Sequence, residues 1–154
     1  MRSAVLPLAT IIVLALAGSG SDAEPATPVC FDAHVSARML RQTPTTIPDC
    51  GPNCFVVSWP WIVELDVDHV LAGSAPLGPL TVLRFQHTHH IDRLTEVWLR
   101  RNSLGAFNVL SVELSSPPAM CRSETPAAEP YIRPPNGVAF SDFVKATEAD
   151  YDRR

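Results

Sequence analysis

The chain has 154 residues, a formal net charge of −4 at pH 7 and no run of Lys or Arg. A nucleic-acid groove needs clustered positive charge, so this composition argues against a nucleic-acid partner. The length is that of a single domain with its own core.

Residues 1–23 have the parts of a secretory signal peptide. Arg2 precedes an apolar stretch from Val5 to Ala17, and small residues follow. The small-x-small rule allows cleavage after Ala17 or after Ala23. A membrane anchor is the alternative, but the apolar stretch is shorter than the roughly 20 residues that span a bilayer. We therefore predict a cleaved leader, an exported chain that is periplasmic or secreted, and no membrane span after the leader is removed.

Four cysteines follow the leader, at Cys30, Cys50, Cys54 and Cys121. An even number in an exported chain predicts two disulfides, and four cysteines allow three pairings. We favour Cys50–Cys54 as a short clip and Cys30–Cys121 as a bridge from the start of the domain to the segment after its last strand. The long bridge would stabilise the fold by roughly 4 kcal/mol. A zinc site is the alternative for the Cys-x3-Cys pair, although export favours oxidation.

After an extended lead-in at 24–29, five segments have the composition of β-strands. The clearest has Val63, Leu65 and Val67 alternating with acidic residues, which places the apolar set in a core. In the next segment we expect Leu83 and Phe85 to point inward. The predicted strands are 31–40, 61–70, 80–86, 94–101 and 107–114.

The end of the chain differs in character from the strand region. Prolines recur through 116–140, which predicts an extended segment that runs over the surface without regular strands. Ser141 is a candidate N-cap of a helix within 141–154 that docks on the sheet with Thr147 and Tyr151 on one face. Five short strands with a long first connection predict a mainly β fold, a five-stranded OB-like barrel over 30–115 with a short C-terminal helix.

The segment "WIVELDVDHVLAGSAPLGPLTVLRF" resembles netrin-like, metalloproteinase-inhibitor-like OB-fold domains. The shared features are Val67, Val70, Leu71 and Gly73, followed by "LTV", and the resemblance covers about 30–115. The inhibitors of that family bind the protease zinc through a cysteine that is their first mature residue. At least six residues, 24–29, precede Cys30 here. The resemblance therefore implies the fold and not protease inhibition. The tail "PYIRPPNGVAFSDF" resembles endings of bacterial exported proteins.

A short histidine tract is the candidate metal site. His87, His89 and His90 lie between the third and fourth predicted strands. In an extended chain His87 and His89 point the same way and could share Zn or Cu, with Asp92 nearby. The alternative is a solvated loop between strands.

Two tryptophans are the candidate binding surface. Trp59 and Trp61 flank a proline at the exit of the long loop, where they could form an exposed platform for a peptide or a carbohydrate. The alternative is that both rings pack in the core or at its rim. Trp98, within a predicted strand, is expected to pack in the core.

The sequence contains no nucleophile elbow, no His-Glu-x-x-His, no phosphate-binding glycine loop and no nucleotide fingerprint. We interpret the chain as an exported, non-catalytic β domain that binds a protein or peptide partner through the loops at 43–60 and 87–92. The alternatives are a metal-binding protein that uses the histidine tract and a hydrolase whose site has no recognised motif.

Overall fold

The computed structural model describes residues 29–52, 55–91, 94–111 and 117–154. The predicted leader and Cys54 lie outside these residues, as do 112–116 at the end of the predicted fifth strand. The described elements are β1 (Cys30–Phe31), β2 (Ala33–Pro44), β3 (Trp59–Gly73), β4 (Gly78–Gln86), β5 (Leu94–Arg101), β6 (Phe107–Val109), β7 (Ala119–Met120) and α1 (Phe140–Tyr151). Within the described ranges, no helix is both long enough and apolar enough to cross a membrane.

Five of the strands form a closed barrel in the order β2-β3-β4-β6-β5. The long strand β2 closes it by pairing with both β3 and β5, and the pairing of β4 with β6 is parallel. Register shifts follow His34, Ser36 and Met39 in β2. Such bulges bend and twist a strand, which lets β2 leave β5 and continue along β3. The predicted fold class, a mainly β chain with an OB-like barrel and a short C-terminal helix, is therefore confirmed.

The alternation predicted for the second strand is confirmed in β3. Val63, Leu65 and Val67 are at most 3% exposed and belong to the core cluster inside the barrel. The intervening Glu64 and Asp66 are half-buried on the other face. Period two therefore separates core from surface along this strand.

The prediction that Leu83 and Phe85 of β4 point into the barrel is wrong. Val82 lies in the core cluster, so its neighbour Leu83 points to the outside of the barrel, where it is fully buried opposite Ile62. Phe85, on that outer face, is 42% exposed and its ring lies 4.6 Å from that of Tyr131. Both faces of β4 carry apolar residues because a later segment covers part of the outside, and alternation alone could not choose between them.

The prediction for Trp98 is also wrong. Its neighbours Val97 and Leu99 fill the core from β5, so Trp98 points outward. There its ring stacks on that of His34, its cross-strand partner, with centroids 4.2 Å apart. A tryptophan between two inward aliphatic residues takes the outer face because successive side chains alternate.

The proline-rich segment is pinned to the barrel at several points. Its two-residue strand β7 pairs in parallel with β1, which corrects the expectation of no regular strand there. Farther along, the buried Asn108 side chain donates to the backbone oxygen of Glu129 at 2.7 Å. The segment therefore follows the surface as an extended chain that is hydrogen-bonded to the barrel.

The helix α1 begins one residue before the predicted cap. Its N-cap is Ala139, whose backbone oxygen accepts from the N–H groups of Asp142 and Phe143. Ser141 is therefore inside the helix, and no side chain caps its start. Asp142 lies in the first turn, where a negative charge is favourable.

The bridge between Cys30 and Cys121 is present, as favoured from the sequence, across a sequence separation of 91. Cys50 is disulfide-bonded as well. The predicted Cys50–Cys54 pairing stays a prediction, because Cys54 lies outside the described residues.

Candidate binding groove at the open end of the barrel

The barrel has two ends of different construction. At what we term the closed end, the Cys30–Cys121 bridge lies beside the Asp32–Arg100 ion pair, whose charged atoms are 2.6 Å apart. At the open end, β2 finishes and β3 starts, the connecting loops leave the barrel, and α1 packs beside β2. Both loops that the sequence analysis selected for binding are at the open end.

A groove of about 390 Å³ lies at the open end. One wall is the segment 44–47 and the other is the last turns of α1, through Thr147 and Tyr151, with Trp59 between them. This volume is within the range of small-ligand and side-chain pockets. The sequence pattern predicted that Thr147 and Tyr151 lie on the face of the helix that docks on the barrel. It did not predict that this face would leave a groove between the helix and the barrel.

Trp59 contributes to the groove, whereas Trp61 does not reach the surface. The indole Nε1 of Trp59 donates to the backbone oxygen of Thr45 at 3.1 Å, which fixes the ring at the groove. Its centroid lies 5.4 Å from that of Trp61, which is 3% exposed and belongs to the core cluster. The predicted platform therefore contains one accessible tryptophan, Trp59, which packs against the buried Trp61.

The histidine loop and α1 meet at the open end. The ring edge of His89 packs against Trp61 with centroids 4.8 Å apart, and the Tyr151 hydroxyl lies 3.3 Å from His89 Nε2. On the other side of the helix, Arg41 reaches both carboxylate oxygens of Asp152 at 2.6 and 2.7 Å. These contacts hold the helix where it forms one wall of the groove.

Most polar side chains along the groove already have partners. The Thr45 hydroxyl donates to the backbone oxygen of Pro60 at 2.5 Å, and the Thr147 hydroxyl donates to that of Phe143 at 2.8 Å. The Asp150 carboxylate accepts from Arg154 at 2.6 Å, a hydrogen bond that lowers the pKa of Asp150 below its ordinary value. The groove therefore offers a ligand mainly apolar surface.

The loop between β2 and β3 carries exposed apolar side chains, one of which, Ile47, lines the groove. Ile47 is 55% exposed, Val57 69% and Phe55 93%. Single exposed apolar residues are common, but several large ones on one segment mark an interaction surface. This loop therefore presents apolar surface in the groove, at Ile47, and elsewhere along its length.

The three histidines of the tract have separate partners. His87 Nδ1 lies 2.6 Å from the backbone oxygen of Val57, and His89 contacts Trp61 and Tyr151. The backbone of His90 exchanges two hydrogen bonds with the Gln42 side chain. No group of three His, Cys, Asp or Glu residues that could hold a metal occurs within the described part of the chain. The zinc or copper site stays a prediction, which calorimetric titration of the His87→Ala, His89→Ala protein would test.

Comparison with protein-family models, with the curated proteins and with solved structures finds no match for this chain. The resemblance to netrin-like domains therefore stays a sequence-based prediction. Function has to be argued from the geometry of the groove.

Proposed function

We propose that this protein is an exported, non-catalytic module that binds an apolar peptide segment of a partner protein in the groove at its open end. One observation carries the proposal. Trp59 and the exposed Ile47 line an open groove of about 390 Å³, and the same loop also exposes Phe55 and Val57. Burying such side chains against a partner releases about 25 cal/mol per Å² of apolar area.

The state of the polar side chains favours a peptide over a carbohydrate. A sugar presents many hydroxyl groups, and a site for it needs free donors and acceptors beside an aromatic ring. Here the Thr45 and Thr147 hydroxyls and the Trp59 indole are bonded within the protein. Because these groups have already used their donors, ligand hydroxyls placed against these walls would find few donors to replace their hydrogen bonds to water. Apolar side chains make no hydrogen bonds to water, so they lose none when they enter the groove.

The charges at the groove favour a ligand segment without net charge. Asp150 pairs with both Arg153 and Arg154 at the end of α1, so its carboxylate is neutralised within the protein. We therefore expect an extended segment with one or two large apolar residues. Its affinity should be about micromolar, which suits a small apolar contact.

The disulfide supports export. A bridge such as Cys30–Cys121 persists in oxidising compartments and is rare in the cytosol. Together with the predicted leader at 1–23, it favours a partner outside the cytoplasm, in a periplasm or in the medium.

Selection of random displayed peptides against the mature protein tests the proposal. We expect enriched peptides to share large apolar residues and to bind in fluorescence anisotropy. Trp59→Ala and Ile47→Asp should each weaken that binding at least tenfold, and Ile47 is exposed enough for its variant to fold normally. Trp98→Ala removes an indole from the outer face and is the matched control. Failure to enrich any sequence, or equal binding by parent, Trp59→Ala and Ile47→Asp, would refute the proposal.

A further inference from the structure

An arginine projects into the barrel from β4. Arg84 pairs in register with Trp61, a core residue, so the two side chains share the inner face. The guanidinium Nη1 lies 3.6 Å from Sδ of Met39, which is 5% exposed. The charged head group of Arg84 therefore lies on the inner face of the barrel, where the neighbouring positions hold apolar side chains.

That guanidinium lacks a counter-ion among the described residues. No carboxylate there lies within ion-pair distance of it, and its one side-chain hydrogen-bond partner there is the Met39 sulfur, a weak acceptor. Burial lowers the pKa of Arg84 below its ordinary value. An arginine cannot shed its proton in a protein, so its charge stays and most of its five N–H donors remain available.

A recess beside Arg84 gives access to these donors. β6 ends at Val109, the backbone N–H of Leu110 still donates to the Trp98 oxygen at 2.8 Å, and beyond this point the described residues leave a recess of about 300 Å³ between β4 and β5. Arg84, Thr95 and Ser111 supply polar groups to its lining, and Trp98 lies at its side. The recess is separate from the groove that contains Trp59.

Among the residues that the structure describes, one carboxylate borders the recess. Glu96 is part of its lining, but its side chain is 61% exposed and its Oε2 lies 3.3 Å from Nε2 of His34. The carboxylate is therefore directed to the outer face of β5 and away from Arg84. This leaves room for an external anion at the guanidinium.

We propose that the recess binds a small oxyanion, a carboxylate or a phosphate, whose oxygens accept hydrogen bonds from the fork of Arg84. The Thr95 and Ser111 hydroxyls supply further donors. A planar guanidinium matches two oxygens of such a group, and the partly desolvated setting strengthens the interaction. This half-buried charge has no counter-ion among the described residues, and the ligand relieves the cost of its burial.

Thermal melting of the mature protein with acetate, succinate or phosphate, each matched in ionic strength by sodium chloride, tests this inference. A saturable rise in Tm with a carboxylate, phosphate or both supports it, and the more effective anion identifies the ligand class. The Arg84 Nε–Hε NMR signal should shift with the same titration midpoint. Absence of a saturable response to all three anions, or an Nε–Hε signal that stays unchanged, would overturn the proposal.

Three variants distinguish anion binding at a specific site around Arg84 from a general effect of anions on the charge of the protein. Arg84→Met should abolish the response, and Arg84→Lys, which keeps the charge without the fork, should weaken it at least tenfold. Arg38→Met removes an exposed arginine from β2 and should respond as the parent does. An equal response in Arg84→Met and the parent would contradict the inference.

The free protein gives an independent readout. Because Arg84→Met replaces a desolvated charge that has no counter-ion among the described residues with an apolar side chain of similar length, its Tm without anions should equal or exceed that of the parent. A clearly lower Tm would show that Arg84 already has a stabilising partner, and the proposal would fall. Peptide binding at Trp59 should be unchanged in this variant, so the two proposals fail or succeed separately.

Discussion

The two ends of the barrel are held by different kinds of interaction. At the closed end, a disulfide joins Cys30 to Cys121, and a half-buried carboxylate, Asp32, holds both the Arg100 guanidinium and the backbone N–H of Arg101 at 2.6 Å. At the open end, the helix is attached by a tyrosine–histidine contact and by ion pairs on the surface.

This difference separates stability from binding. A disulfide that closes a long loop is worth several kcal/mol, and removing one partner of a partly buried ion pair costs several kcal/mol, whereas exposed ion pairs contribute about 0–1 kcal/mol. The closed end should therefore determine whether the barrel is folded. The open end can exchange its own contacts for those of a partner at little cost, which is what a binding groove requires.

Removal of the long disulfide should have the largest effect. The Cys30→Ala, Cys121→Ala protein should lose about 4 kcal/mol of unfolding free energy, because the bridge closes a loop with a sequence separation of 91. Urea unfolding under non-reducing conditions measures the loss. A loss below about 1 kcal/mol would show that the closed end does not depend on the bridge.

A glycine at the closed end should be the next most sensitive position. Gly73 has a φ of 75°, and a Cβ there would lie 2.0 Å from the backbone oxygen of Asp32. Gly73→Ala should cost about 3 kcal/mol, since strain adds to a backbone clash.

Gly78→Ala is the matched control for that substitution. Gly78 has a φ of 79° but no atom within 4 Å of a built Cβ, so only the strain of about 1 kcal/mol applies. Urea unfolding of both variants gives the comparison. Equal losses would mean that the close approach to Asp32 does not constrain the chain.

Loosening the helix at the open end should change stability much less. The Arg41 and Asp152 side chains are 37% and 58% exposed, so Arg41→Met should cost less than about 1 kcal/mol. A loss above about 2 kcal/mol would place the open end among the determinants of the fold.

The smallest predicted effect is a change in stability at low pH. The hydrogen bond from Arg154 lowers the pKa of Asp150, so the stability it contributes is present above the unfolded pKa of about 3.9 and is lost as pH falls through the lower folded value. The Tm difference between the parent and Asp150→Asn should be small and constant above about pH 5 and should shrink as pH falls below the unfolded pKa of about 3.9 and through the lower folded pKa of Asp150. A difference that grows in acid would contradict this sign.

Alternation in the sequence predicted the barrel well where one face of a strand is wet. In β3 the acids between Val63, Leu65 and Val67 mark the outer face without ambiguity. In β4 both faces carry apolar residues, and the buried face of Leu83 is created by distant parts of the chain. The period of two in the local sequence could not show that the outer face of β4 is covered as well.

The candidate site was predicted only in outline. The sequence indicated the loops at the open end and Trp59, but it also grouped the buried Trp61 with the surface. The groove depends on where α1 comes to rest relative to segment 44–47, a separation of about 100 residues along the chain. Arg84 escaped notice because nothing in its own segment shows that β6 ends early beside it.

NMR mapping of a selected peptide on the labelled protein tests the central claim most directly. The account predicts that the indole N–H of Trp59 and the amides of Ile47 and Thr147 shift, while Phe31 and Asn108 at the closed end do not. Shifts concentrated around Phe31 and Asn108, with Trp59 unchanged, would contradict it.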